Sequence, residues 1–186
     1  MSNTPSTSLL LLSALTLGAT TSATASGWTF APFLDEGWQA EPTLAITAGP
    51  ISFEDESESS YGIQLSLNCP WFAPPELRLR QQINYRVSDL GNSSDYSSLE
   101  INPRFFFDFA MEGLTWGIGP GFGYAWLDDG QNREGGWSLQ AGAEVEYRSG
   151  ALFAGAGVRY QATEDLENSN DNINNTTAQL KLGVNF

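Results

Sequence analysis

The stretch Trp137-Ser138-Leu139-Gln140-Ala141-Gly142-Ala143-Glu144-Val145-Glu146-Tyr147-Arg148 decides the fold. Trp137, Leu139, Ala141, Ala143, Val145 and Tyr147 alternate without a break with Ser138, Gln140, Gly142, Glu144, Glu146 and Arg148. A helix, with about 3.6 residues per turn, would scatter the apolar set around its circumference, whereas a strand sends successive side chains to opposite faces. One long strand with one apolar and one polar face is therefore predicted. Ser149-Gly150 ends it as a tight turn, and the alternation resumes at once, with Leu152, Ala154, Ala156, Val158 and Tyr160 opposite Phe153, Gly155, Gly157, Arg159 and Gln161.

The same period runs through most of the chain and predicts eight strands from Thr43 onward. Tyr61, Ile63, Leu65 and Leu67 alternate with Gly62, Gln64, Ser66 and Asn68. Leu77, Leu79, Ile83, Tyr85 and Val87 oppose Glu76, Arg78, Arg80, Gln82, Asn84 and Arg86, with Gln81 the polar exception on the apolar face. Leu99, Ile101, Phe105, Phe107 and Phe109 oppose Glu100, Asn102, Arg104, Phe106 and Asp108, and Trp116, Ile118, Phe122, Tyr124 and Trp126 oppose Gly117, Gly119, Gly121, Gly123 and Ala125. The last strand sets Ala178, Leu180, Leu182, Val184 and Phe186 against Thr177, Gln179, Lys181, Gly183 and Asn185. The first, around Thr43 to Phe53, loses its parity at Gly49-Pro50, where a bulge is expected.

The connections and the aromatic residues choose between architectures. Short links (Cys69 to Pro75, Ala110 to Gly113, Ser149-Gly150) alternate with polar, acidic ones (Glu54 to Ser60, Asp89 to Ser98, Asp128 to Gly136, Glu164 to Asn175). In an up-and-down barrel the short links and both chain ends then fall at one end. On the apolar face Tyr61, Tyr85, Tyr124, Trp126, Trp137 and Tyr160 gather near the loop end, and Phe107, Phe109, Trp116, Tyr147 and Phe186 near the turn end, with Ile, Leu, Val and Ala between them. Two aromatic rings bracketing an aliphatic band suit a bilayer, whose headgroup region takes amphipathic rings. A soluble barrel or sandwich would have no reason to sort its aromatics this way. The expected fold class is an all-β, transmembrane, antiparallel up-and-down barrel, and its polar face is then the lumen, carrying Arg78, Arg80, Arg86, Arg104, Arg148, Arg159 and Lys181 with Glu76, Glu100, Asp108, Glu144 and Glu146.

Composition agrees with that reading. The 186 residues carry 22 acids against 8 bases, a net charge of −14, yet only 16% of them are charged. Such a balance excludes nucleic acid as a partner, since binding phosphates needs clustered Lys and Arg. Most acids fall in the four loops, leaving the lumen near balance and the outside negative. Ahead of the barrel, Leu9 to Leu12, Ala14, Leu15, Leu17 and Ala19 form an apolar run too short to span a bilayer, and Ala23-Thr24-Ala25 supplies a cleavage pattern. Residues 1–25 read as a secretory signal, although Met1 to Ser8 contains no Lys or Arg. Residues 26–42, with Trp28, Phe30, Phe33 and Trp38, form a plug, a periplasmic segment or an extra strand.

With strands, girdles and Phe186 in place, residues 43–186 resemble the small eight-stranded outer-membrane barrels of Gram-negative bacteria, of the OmpA transmembrane-domain, OmpX and opacity-protein type. Ala178-Gln179-Leu180-Lys181-Leu182-Gly183-Val184-Asn185-Phe186 looks like the C-terminal assembly signal of that class. The resemblance implies that Phe186, Val184 and Leu182 are read by the outer-membrane insertion machinery. It also implies a monomer among outer-membrane lipid and lipopolysaccharide. Gly117-Ile118-Gly119-Pro120-Gly121-Phe122-Gly123-Tyr124 looks like a glycine-rich strand common in these barrels. The expected role is structural or surface-interacting, with a lumen filled by an Arg/Glu/Asp network; the alternative is a narrow, porin-like channel lined by Arg. No catalytic, cofactor or metal residue is assigned. The chain has no His to act as a base, and the acidic run Glu164 to Asn175 lacks EF-hand spacing. Cys69 is the one cysteine and is expected to be a free, packed thiol rather than half of an intermolecular disulfide.

Overall fold

A computed structural model describes residues 27–53, 57–91, 94–128, 130–164 and 173–186. The signal reading, the loop acids Glu54, Asp55 and Asp129, and most of the acidic run after Glu164 lie outside the described residues. Eight strands close one antiparallel barrel in chain order, and the last pairs back on the first. They are β1 (Thr43–Ser52), β2 (Ser57–Asn68), β3 (Arg78–Asp89), β4 (Asp95–Asp108), β5 (Leu114–Asp128), β6 (Arg133–Ser149), β7 (Leu152–Thr163) and β8 (Asn175–Asn185). Closure runs from Asn185 opposite Thr43 to Thr176 opposite Ser52. Sequential neighbours thus satisfy each other's backbone, and no edge is left open.

The barrel is inverted with respect to a soluble protein. Among the described residues, twenty-four polar or charged side chains are buried against nine apolar ones, while Leu44, Ile46, Ile63, Leu139, Val158 and Leu180 are exposed on the outer wall. In water each such aliphatic side chain would forgo about 1.5–3 kcal/mol of burial. A wall of them around eight strands is stable only against lipid.

Two details differ from the sequence reading. No bulge interrupts β1: its register with β2 runs unbroken from Thr43 opposite Ser66 to Ser52 opposite Ser57. Against β8 the ladder is broken around Pro50, which has no N–H, and resumes in the same register at Ile51 opposite Thr177. The parity fails in sequence because Ile51 faces inward. It joins Tyr96, Ala125 and Ile173, with Phe53, Leu90 and Leu127 packed against them, in an apolar cluster inside the loop-end mouth. The second difference is in the links. The loop-end connections 53–56, 90–94 and 129–132 are no longer than 69–77 at the opposite end, and 164–174 alone has more residues. Strand β6 has 17 residues, well beyond the ~9–11 that cross a bilayer. Glu58, Asp95, Asp128 and Glu134, expected in loops, therefore sit on strand ends that project past the membrane.

The inward glycines are spaces for neighbouring side chains. A Cβ on Gly117 would strike the Phe106 ring, one on Gly121 the Asn102 amide, and one on Gly119 the carbonyl of Pro103. At Gly119 the obstacle is backbone and cannot swing aside. Gly119→Ala is expected to destabilise the folded barrel by about 1–3 kcal/mol, read as a lower urea midpoint in detergent or lipid; an unchanged midpoint would show that β4 and β5 have slack there.

Candidate functional site

Among the described residues, the lumen is the one place where charge is concentrated and removed from water. Its layers follow from which residues the pleat turns inward at each height. At the turn end Arg148 donates to Thr43 Oγ1 (2.5 Å), Asn185 Oδ1 (3.1 Å) and Glu146 Oε2 (2.7 Å), and its guanidinium lies 4.8 Å from the centre of the buried Phe153 ring. Arg80 donates to Ser66 Oγ (3.0 Å), Asn68 Oδ1 (2.9 Å) and the Glu41 carbonyl (2.6 Å), with the Glu41 carboxylate 3.7 Å away. Above them Lys181 donates to Glu144 and stands 3.6 Å from Glu146, and Gln82 donates to both carboxylates. Higher still, Arg159 donates to Glu100, which also accepts from Ser98 (2.7 Å) and Asn102 (3.2 Å). Near the loop end Tyr96 shares hydrogen bonds with Gln161 and Asn175 beneath the apolar cluster.

Arg86 and Arg104 hydrogen-bond only to neutral acceptors and, unlike Arg80, form no ion pair among the described residues. Arg86 donates to Gln179 Oε1 (2.6 Å) and Ser60 Oγ (3.3 Å). Arg104 donates to the carbonyls of Pro103 (3.2 Å), Gly119 (2.8 Å) and Pro120 (2.6 Å), and Gly142 makes room for its Nη2, which a Cβ there would approach to 2.8 Å.

Three residues assigned to the lumen from sequence are not in it. Glu76 precedes β3 and is exposed, while Arg78 and Asp108 pair at 2.5 Å on the rim, 48% and 75% exposed. Such a pair contributes at most about 1 kcal/mol. Alternation cannot reveal where a strand leaves the wall, because the polar face meets water past the rim as readily as it meets the lumen within. Inside the wall there remain Arg80, Arg86, Arg104, Arg148, Arg159 and Lys181 against Glu100, Glu144 and Glu146, so the described interior carries a surplus of positive charge slightly larger than the sequence reading gives it. Sequence reasoning weighed only the charges and so missed Gln82 and Gln179. Tyr96 was missed because its neighbours Asp95, Ser97 and Ser98 read as loop.

The aromatic residues assigned to the girdles lie on the outer wall. Tyr61, Tyr85, Trp137 and Tyr160 are exposed near the loop end; Tyr124 packs edge-on to Trp137 with ring centres 5.2 Å apart and lies 5.0 Å from Trp126. Toward the turn end Phe107 stacks on Trp116 at 4.4 Å, and Phe109, Tyr147 and Phe186 are exposed. From Trp137 to Tyr147 the strand rises about 33 Å, or about 25 Å along the axis of a barrel whose strands tilt about 40°. That is the height of a bilayer's apolar band. In the last strand Leu182 and Val184 face Ile46 and Leu44 of β1, and the Phe186 N–H donates to the Pro42 carbonyl (2.9 Å).

Residues 27–42 lie outside the barrel at the turn end. Thr29–Phe30 pairs with Phe72–Ala73 in a two-residue ribbon, the Ala31 N–H donates to the Trp71 carbonyl (2.8 Å), and the Ala40 carbonyl accepts from the Asn68 N–H (2.8 Å). The segment neither enters the lumen nor adds a barrel strand. Cys69 is buried as a free thiol, and Gln81, the polar residue on the apolar face, places Nε2 3.5 Å from its Sγ.

An eight-stranded closed barrel, polar within and apolar without, has the fold of the small outer-membrane β-barrels. It is similar to the solved N-terminal β-barrel domain of Pseudomonas aeruginosa OprF, with a TM-score of 0.53, 18% identity, and coverage of 80% of this chain and 100% of that one. Neisserial surface protein A follows at a TM-score of 0.49 and 16% identity, covering 77% and 92%. The outer-membrane enzyme PagL gives a TM-score of 0.49 and 18% identity, covering 77% and 98%. No protein-family model and no curated protein sequence matches the chain.

Lys181→Met would strand Glu144 without its cation and is expected to cost about 3–5 kcal/mol of barrel stability. Adding Glu144→Gln should recover much of that loss in the same unfolding measurement. Equal destabilisation by the single and double variants would mean that the pair is not coupled.

Proposed function

We propose that the protein stands in the outer membrane of a Gram-negative bacterium as a folded structural or surface-interaction protein, with its negative strand ends outside and no catalytic centre. The observation that carries this reading is the apolar outer wall between two aromatic girdles around a polar, hydrogen-bonded interior. Outer-membrane lipid and lipopolysaccharide are the partners of that wall, and the insertion machinery reads Phe186, Val184 and Leu182 during assembly. The chain works as a monomer. In this reading the interior network of Arg80, Arg86, Arg104, Arg148, Arg159, Lys181, Glu100, Glu144 and Glu146 fills the lumen and holds the wall in register. PagL couples a similar fold to an enzyme, but the present 186 residues contain no His, so imidazole general-base chemistry is not available to them.

Membrane fractionation with gel migration of boiled and unboiled samples tests the proposal. The protein is expected in the outer-membrane fraction, migrating differently before and after heating in SDS. Recovery in the soluble periplasm with identical migration would overturn it.

A second reading is favoured by the positive surplus of the interior. Fixed guanidinium groups in a narrow passage attract anions, and Arg86 and Arg104 hydrogen-bond only to neutral acceptors. The filled lumen predicts no conductance steps from pure protein in a planar bilayer. Chloride-selective steps that Arg104→Ala alters would replace it with the channel.

A further inference from the structure

The N-terminal segment carries its own cluster of exposed apolar side chains, and the barrel does not need them to close. Trp28, Phe30, Phe33 and Leu34 are exposed, as are Trp71 and Phe72 of the 69–77 link onto which they fold, with Leu34 74% and Phe30 65% accessible. The rings are locked edge to face across the two pieces of chain: Phe30 against Phe72 at 5.8 Å and Phe33 against Trp71 at 5.7 Å. The shape is held by backbone as well. Ala31 and Glu41 adopt left-handed φ values of 52° and 44°, a region that residues other than glycine seldom occupy. Both sit where the segment is tied down, Ala31 through its N–H to Trp71 and Glu41 through its carbonyl to Arg80.

The height of this cluster identifies what covers it. Trp28 packs edge-on to Phe105 of β4 at 6.5 Å. Phe105 is one pleat further into the wall than Phe107, which belongs to the turn-end girdle and stacks on Trp116. The segment therefore does not hang away from the barrel. It folds up along the outside of the wall to the level of the girdle, and its exposed rings continue the lipid-facing surface. Its charged residues, Asp35, Glu36 and Glu41, come only after Leu34.

We propose that residues 28–34 and 71–72 form an interfacial foot, seated in the headgroup and upper acyl region of the periplasmic leaflet. A second copy of the chain or a periplasmic protein would need this face turned to water, whereas continuity with the girdle turns it to lipid. The foot rests on the outer-membrane reading above. It adds a lipid contact outside the eight strands.

The test uses the protein purified from membranes and reconstituted in phosphatidylcholine vesicles, with native-like heat modifiability confirming the fold of each variant. One variant retains Trp28 and Trp71, with Trp38, Trp116, Trp126 and Trp137 replaced by Phe; a second retains only Trp137. With lipid brominated near the carbonyl end of its chains, the foot variant is expected to lose about half its emission or more and to be shielded from acrylamide. Acrylamide quenching without bromolipid quenching of the foot, while Trp137 responds to bromolipid, would overturn the foot and leave the membrane reading standing. Shielding from both quenchers that grows with the protein-to-lipid ratio would overturn it in favour of a second copy. A Trp137 that bromolipid does not quench would overturn the membrane reading and the foot with it.

Discussion

The pairing of β8 with β1 is the constraint on which everything else rests. In hydrocarbon no water is available to a free N–H or C=O, so a sheet can stand there only if its last strand finds its first. Here Asn175–Asn185 meets Thr43–Ser52 in one continuous register, even across Pro50, which contributes no donor. Once the ring closes, the pleat leaves each side chain only two destinations. One is lipid and the other is a narrow interior, and the inverted distribution of polar and apolar residues follows.

Closure also creates the packing problem that the interior solves. An eight-stranded barrel has room for side chains and little more. Glycines on β5 let Phe106 and Asn102 enter from β4, while Gly142 on β6 accepts the reach of Arg104. Charges held in so small a volume must find partners, because leaving one of them alone costs several kcal/mol. Glu144 and Glu146 share Lys181, Gln82 and Arg148, and Glu100 gathers Arg159, Ser98 and Asn102. The remaining guanidinium groups are met by amides, hydroxyls and backbone carbonyls, and so the charged layers of the interior are positive overall.

The two mouths are built differently. At the loop end an apolar cluster around Ile51 and Tyr96 lies within the ring, and strand ends bearing Asp95 and Asp128 carry the negative charge outward. At the turn end Arg148 over Phe153 and Arg80 under Glu41 close the interior, and the N-terminal segment wraps the outside. The exterior charge and the interior charge are of opposite sign, which is why the chain is strongly acidic although its most buried charged groups are mainly basic.

Alternation was enough to read the strands and the eight-stranded closure, because a period of two is a local property and a bilayer imposes it on every strand alike. It could not mark the rim, and so Glu76, Arg78 and Asp108 were placed inside when they stand in water. It mistook Ile51 for a break in parity because an apolar residue facing in is understandable only when Tyr96 and Ile173 are brought beside it from distant strands. Nor could it decide whether residues 26–42 plugged the barrel, joined it or lay beyond it. The sequence by itself determined the wall, since each residue's face depends only on its neighbours along the strand; the tertiary structure alone decided the charge partners, the rims and the place of the N-terminal segment, since those depend on which strands closure brings across the ring.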